Sequence, residues 1–187
     1  TPQWNADTSL GLYNEDKNQI ASTYVDVFLN LLSLVNNVAL KEENGRSNVS
    51  NIRIELIKKE EILALSSDQV INTYENVTRA LNRALSFLQL NCGVRKMDDI
   101  SYDHIILGLS YFLYFDDVFK SKNKTRVLEY WYWSSLLSGR YDKDQNSNII
   151  ADLKIISNVL FNNSEIEKLK ERKTHVFNLM NFSDKGT

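Results

Sequence analysis

One cysteine, one proline, six glycines and two histidines are few for a chain of 187 residues. The cysteine, Cys92, has no partner for an internal disulfide, so a reducing, intracellular setting is expected. The proline, Pro2, stands at the extreme N-terminal end, and so scarce a supply of proline and glycine leaves long helices uninterrupted and gives a sheet few tight turns. An all-α fold follows. With His104 and His175 far apart and one thiol, a His/Cys metal site is nearly excluded. No Gly-rich phosphate loop and no nucleophile elbow occurs. No apolar run reaches the length needed to cross a bilayer, and Thr-Pro-Gln-Trp at the start has neither the charged nor the apolar region of a signal peptide. A soluble, cytoplasmic protein without a membrane partner is expected. The 22 basic and 24 acidic side chains give a net charge of -2, which excludes a global pull toward nucleic acid but not a local basic patch. Asn-x-Ser/Thr sequons, among them those at Asn48, Asn76, Asn123 and Asn162, are the chance product of an Asn- and Ser-rich chain.

What is abundant is apolar periodicity. Residues 1–13 show none, and read as an extended arm that docks by Trp4. From Glu15, the series Ile20, Tyr24, Val27, Phe28, Leu31, Leu32, Val35 marks an amphipathic helix. Residues 41–51 have the composition of a mobile loop, and Ile52, Ile54 and Leu56 alternate with charged residues as in a short strand that lacks an obvious partner. A short helical piece spans 58–65. Ser66 and Gln69 then offer a capping box to a helix carried by Val70, Tyr74, Val77, Leu81, Leu85 and Leu88, which Gly93 should end. Residues 102–115 are apolar nearly all round, which predicts a central helix buried by neighbours, with Gly108 allowing another helix to approach closely. Residues 121–125 read as a basic turn. Glu165–Lys173 reads as a charged helix, and His175–Phe182 as an apolar tail that packs back. The expectation is one all-α, bundle-like domain over residues 14–187 with about six or seven helices, its core made by helices near 16–38, 68–91, 102–116, 125–138 and 147–161.

The heaviest apolar stretch lies at 128–152. Leu128, Trp131, Trp133, Leu136 and Leu137 recur at helical spacing, so one face should carry both tryptophans, and Gly139 should cap the helix. Arg140 and Tyr141 follow the cap, then a polar loop, then a second helix with Asp152 in its first turns. The run Trp-Tyr-Trp-Ser-Ser-Leu-Leu-Ser-Gly-Arg-Tyr followed by Ile-Ile-Ala-Asp-Leu-Lys resembles the helical region of the GmrSD-type modification-dependent restriction endonucleases and their relatives. Asp99-Ile100-Ser101-Tyr102-Asp103 resembles that family's helix start, with Ser101 where proline is usual. The resemblance covers roughly residues 56–182 and implies a helical piece of a longer bacterial restriction or phage-defence protein, with nucleotide hydrolysis upstream and nuclease chemistry downstream. A chain that begins without Met fits that expectation. The ParB-like nucleotide-binding motifs of the family's N-terminal part are absent.

Several constellations in the sequence contain residue types that can carry chemistry. Asp103-His104-Ile105 looks like the core of an HNH nuclease but lacks a second nearby ligand and lies in a helical, apolar context. Glu171-Arg172-Lys173 holds a Glu-x-Lys pair on a charged helix rather than a strand. Asp98-Asp99 and Asp116-Asp117 are paired carboxylates at helix boundaries, where acidic residues cap and solubilise. No catalytic residue, metal or cofactor is therefore assigned. Trp131, Trp133, Arg140, Tyr141 and Asp152 form the structural motif, with Arg140 forked onto Asp152 across the loop as its simplest reading. The alternative for Arg140 is phosphate, together with Lys143 or Lys154 and the basic cluster Lys120, Lys122, Lys124 and Arg126, which make the candidate nucleic-acid contacts. The resemblance implies a non-catalytic domain that scaffolds or couples other domains of the same protein and touches DNA. The rival reading is a helical module for protein interaction or homo-oligomerisation.

Overall fold

The computed structural model describes residues 17–38, 49–95 and 99–162, with the side chains of the first segment from Val25 onward. The element order is α1 (Lys17–Asn37), two 3-10 turns (Val49–Asn51 and Ile54–Ile57), α2 (Lys59–Leu63), α3 (Ser67–Cys92), α4 (Asp103–Leu113), α5 (Asp116–Phe119), α6 (Lys122–Leu137) and α7 (Gln145–Asn162). All described secondary structure is helical. The N-terminal arm with Trp4, the loop at 41–48, the helix at 165–173 and the tail at 175–182 lie outside the described residues.

Helix α4 is the centre because it has no polar face. Every residue from Ile105 to Leu113 is buried, and α1, α3 and α7 pack around it. Each neighbour contributes a stripe at helical spacing: Leu31 and Leu34 from α1, Val77, Leu81, Leu85 and Leu88 from α3, and Ile149, Leu153, Ile156 and Leu160 from α7. Helix α6 approaches at Gly108, where a Cβ would overlap Trp131 Cη2 and lie 3.0 Å from Ile149 Cδ1. The missing side chain is thus the space that the Trp131 ring fills. Helix α3 begins with the expected capping box, Ser66 Oγ accepting from Gln69 N–H and the Gln69 side chain accepting from Ser66 N–H. It ends at Gly93 in the left-handed conformation, φ 71°.

Four expectations need correction. The alternating Ile52, Ile54, Leu56 segment is no strand; with no partner strand among the described residues, its backbone closes i→i+3 bonds in consecutive turns that still bury Ile52 and Leu56. Residues 49–51, given to the loop, belong to the first of these turns. Of the basic turn expected at 121–125, residues 122–125 are instead the first turn of α6, because Ser121 caps it by accepting from Lys124 N–H. Trp133 and Leu137 do not share the buried face of Trp131. They are 40% and 58% exposed, while Trp131 is 0% exposed. Positions two apart on a helix differ by about 200°, so Trp131 and Trp133 cannot both face α4.

Candidate functional site

The chemistry-bearing side chains gather where α6 turns into α7. Gly139, φ 61°, ends α6 in a Schellman motif: Arg140 N–H donates to Ser135 O at 3.0 Å and Gly139 N–H to Leu136 O at 3.3 Å. That reversal directs Arg140 and Tyr141 back under α7. The Asn148 side chain pins the loop by donating to Arg140 O and Lys143 O at 2.9 and 2.8 Å. Inside the turn, the carboxylate of Asp152 is 0% exposed and carries four donor contacts. Oδ2 accepts from Trp131 Nε1 at 2.9 Å and from the Tyr141 hydroxyl at 2.8 Å. Oδ1 accepts from Arg140 Nη2 and Nε at 3.2 and 3.4 Å. A buried carboxylate is tolerable only when so supplied, and its loss of any one donor leaves charge without compensation. Of the five motif residues, four converge here and Trp133 does not.

A second layer lies against the first. The Tyr141 ring meets Tyr102 at 5.7 Å between centroids and stacks on His104 at 6.2 Å and 16°. The Tyr102 hydroxyl donates to Asp142, and that hydrogen bond, foremost, pushes the phenol pKa above its ordinary value. His104 Nε2 lies 2.8 Å from Asn146 Oδ1, a hydrogen bond from the first turn of α4 to the first turn of α7. The histidine of the HNH-like triplet therefore holds the start of α7.

His104 and Asn146 also line a cleft of about 520 Å³ between α1, the second 3-10 turn, α2 and the first turns of α4 and α7. Its size falls within the range of small-ligand sites. Val27, Ile57, Ile62 and Leu107 supply apolar walls, and Asp26, Asn30, Lys59 and Asp103 the remaining polar groups. Sequence reasoning missed this cleft because its walls come from four stretches far apart in the chain. It also missed the Trp131–Asp152 bond, for which a signal existed: Asp152 lies on the same helical face as Ile149 and Ile156, where a charge implies a buried donor.

The basic cluster divides. Lys120 pairs with Asp116 and Lys124 with Asp117, each at 2.9 Å, and Lys124 also lies 5.1 Å from the Phe161 ring centroid. Lys122, Arg126 and Lys143 are exposed and have no ion pair among the described residues. Asp116 and Asp117 therefore serve salt bridges within the fold, and Asp99 accepts from Arg95 N–H at 3.1 Å. Among the described residues no group of three or more His, Cys, Asp or Glu could hold a metal ion, and no helix is long and apolar enough to cross a membrane. Asp98 and the Glu171-Arg172-Lys173 run lie outside the described residues. No family model, curated protein or solved structure matches the chain.

Proposed function

We propose that this chain is a non-catalytic helical domain of a GmrSD-type restriction or phage-defence protein, which holds a nucleotide-hydrolysing part and a nuclease part in a fixed relation. The observation that carries the reading is the use made of Trp131, Arg140, Tyr141 and Asp152. These residues of the resembling stretch meet at one buried carboxylate and fix the angle between two helices, which is the work of a scaffold. Contact with DNA would fall to Lys122, Arg126 and Lys143, since Arg140 is committed to Asp152 and Lys120 and Lys124 to acidic neighbours. The test is made on the full-length protein encoded by the intact reading frame. It should cleave modified DNA in a nucleotide-dependent way, and Asp152→Asn should uncouple hydrolysis from cleavage. A full-length protein with neither activity removes the reading. For the DNA contact, each of Lys122→Ala and Arg126→Ala should lower the slope of log affinity against log salt by about 1. Unchanged slopes would assign these side chains to solvent alone.

A second reading has an observation of its own. Trp133 and Leu137 stand one turn apart on the outer side of α6, both exposed. Exposed aromatic and aliphatic neighbours suit a protein interface. Sedimentation of wild type and Trp133→Ser separates the two: self-association that the substitution abolishes favours an oligomerisation module.

A further inference from the structure

The polar residues of the cleft have a sign. Asp26 on α1 and Asp103 at the start of α4 both line it, against one ammonium, Lys59. No ion pair within the described residues occupies any of the three. Helices α4 and α7 both begin here, and their positive ends would favour an anion, but each already has a carboxylate beside it, Asp103 and Asp144. An excess of negative charge therefore remains beside the apolar part of the lining. Asn30 and Asn146 add neutral hydrogen-bonding groups.

We propose that this cleft binds an organic cation on a short aliphatic chain, an alkylammonium or alkylguanidinium, either as a free amine or as the Lys or Arg side chain of a partner. The Asp26 and Asp103 carboxylates, both in the lining, receive the cationic head, and Val27, Ile57, Ile62 and Leu107 cover the methylenes. Asp26, Asp103 and Lys59 are exposed, so solvent screens the attraction and the affinity is modest, with Kd on the order of 1 mM. Lys59 competes with the ligand's head group. This inference is independent of the scaffold reading, because it rests on residues outside the Asp152 network.

Agmatine is the probe, followed by titration calorimetry and amide chemical shifts on the whole chain, with glutarate and inorganic phosphate as anionic controls. Saturable agmatine binding is expected, with shifts at α1, α2 and the start of α4 and no binding of either anion. Asp26→Asn and Asp103→Asn should each weaken it by about fivefold, and Lys59→Ala should tighten it. Asn30→Trp keeps every charge but fills the cleft, and should abolish binding. Thermal unfolding without ligand checks that each variant is folded. A Gly-Gly-Arg-Gly-Gly peptide binding at least as tightly as agmatine assigns the occupant to a partner's side chain, and weaker binding assigns it to a free amine. Failure to saturate by about 10 mM overturns the proposal. So does full retention of affinity in both Asp variants or in Asn30→Trp, or preference for an anion.

Discussion

Two tryptophans two residues apart show what a single side chain can and cannot reveal in a sequence. Both are large and apolar, and helical spacing to Leu128 suggested a common face. Only Trp131 has the geometry for it: its ring enters the space left at Gly108 while its N–H reaches Asp152. The consequence is measurable. Trp131→Ala should cost about 3 to 5 kcal/mol in a urea titration, the range for truncating a buried aromatic. Trp133→Ala should change stability by less than about 0.5 kcal/mol, as expected for an exposed position. Equal losses would place both rings in the core. The fork of Arg140 onto Asp152 was legible because a short loop brings an Arg and a carboxylate within reach. The donors Trp131 and Tyr141 were not assigned, since sequence spacing does not show which way an indole N–H points.

At the scale of the elements, caps and apolar stripes made the long helices legible to within a few residues, as α3 shows with Ser66, Gln69 and Gly93 at its ends. Helix α5 escaped notice because four residues carry no period. It is held by tertiary contacts instead. Arg83, reaching from α3, donates to Leu113 O at 2.9 Å and to Asp116 Oδ1 at 2.7 Å, and lies 4.3 Å from the Phe119 ring centroid. One guanidinium thereby satisfies a carbonyl at the end of α4 and a carboxylate at the start of α5. Hydrogen bonds from Lys120 and then Arg83 lower the Asp116 pKa from 3.8 to about 2. A carboxylate with a depressed folded pKa stabilises the fold above its unfolded pKa, and that contribution is lost as pH falls through the folded value. The urea midpoint of wild type should therefore exceed that of Asp116→Asn at pH 5, and the difference should shrink between about pH 4 and pH 2. A difference that stays constant down to pH 2 would show that Asp116 is not held by its charge.

For the whole molecule, the open question is whether the aromatic turn and the long helices come apart together. Cys92 is placed to answer it. It ends α3, is 6% exposed, and has its thiol pushed up to about 12, mostly by burial and then by the charge of Glu129 on α6. Burial and a raised pKa both suppress the thiolate, which is the reactive form, so the native chain should alkylate very slowly at neutral pH. Tyr132, also on α6, has its phenol pKa raised by burial first and then by Cys92, so the thiol lies in the environment where α3 meets α6. Separation of these helices is what would expose it. If α3, α4, α6 and α7 form one cooperative unit, iodoacetamide labelling in rising urea should give the same midpoint and slope as far-UV circular dichroism. Trp131→Ala should then move both curves by the same amount, because Trp131 touches α4 at Gly108 and α7 at Asp152. Labelling that begins well below the dichroism transition would instead mean that the end of α3 opens alone. In that case the Asp152 network would stabilise the α6–α7 turn without binding it to the rest of the fold, and a rigid scaffold would lose its physical basis.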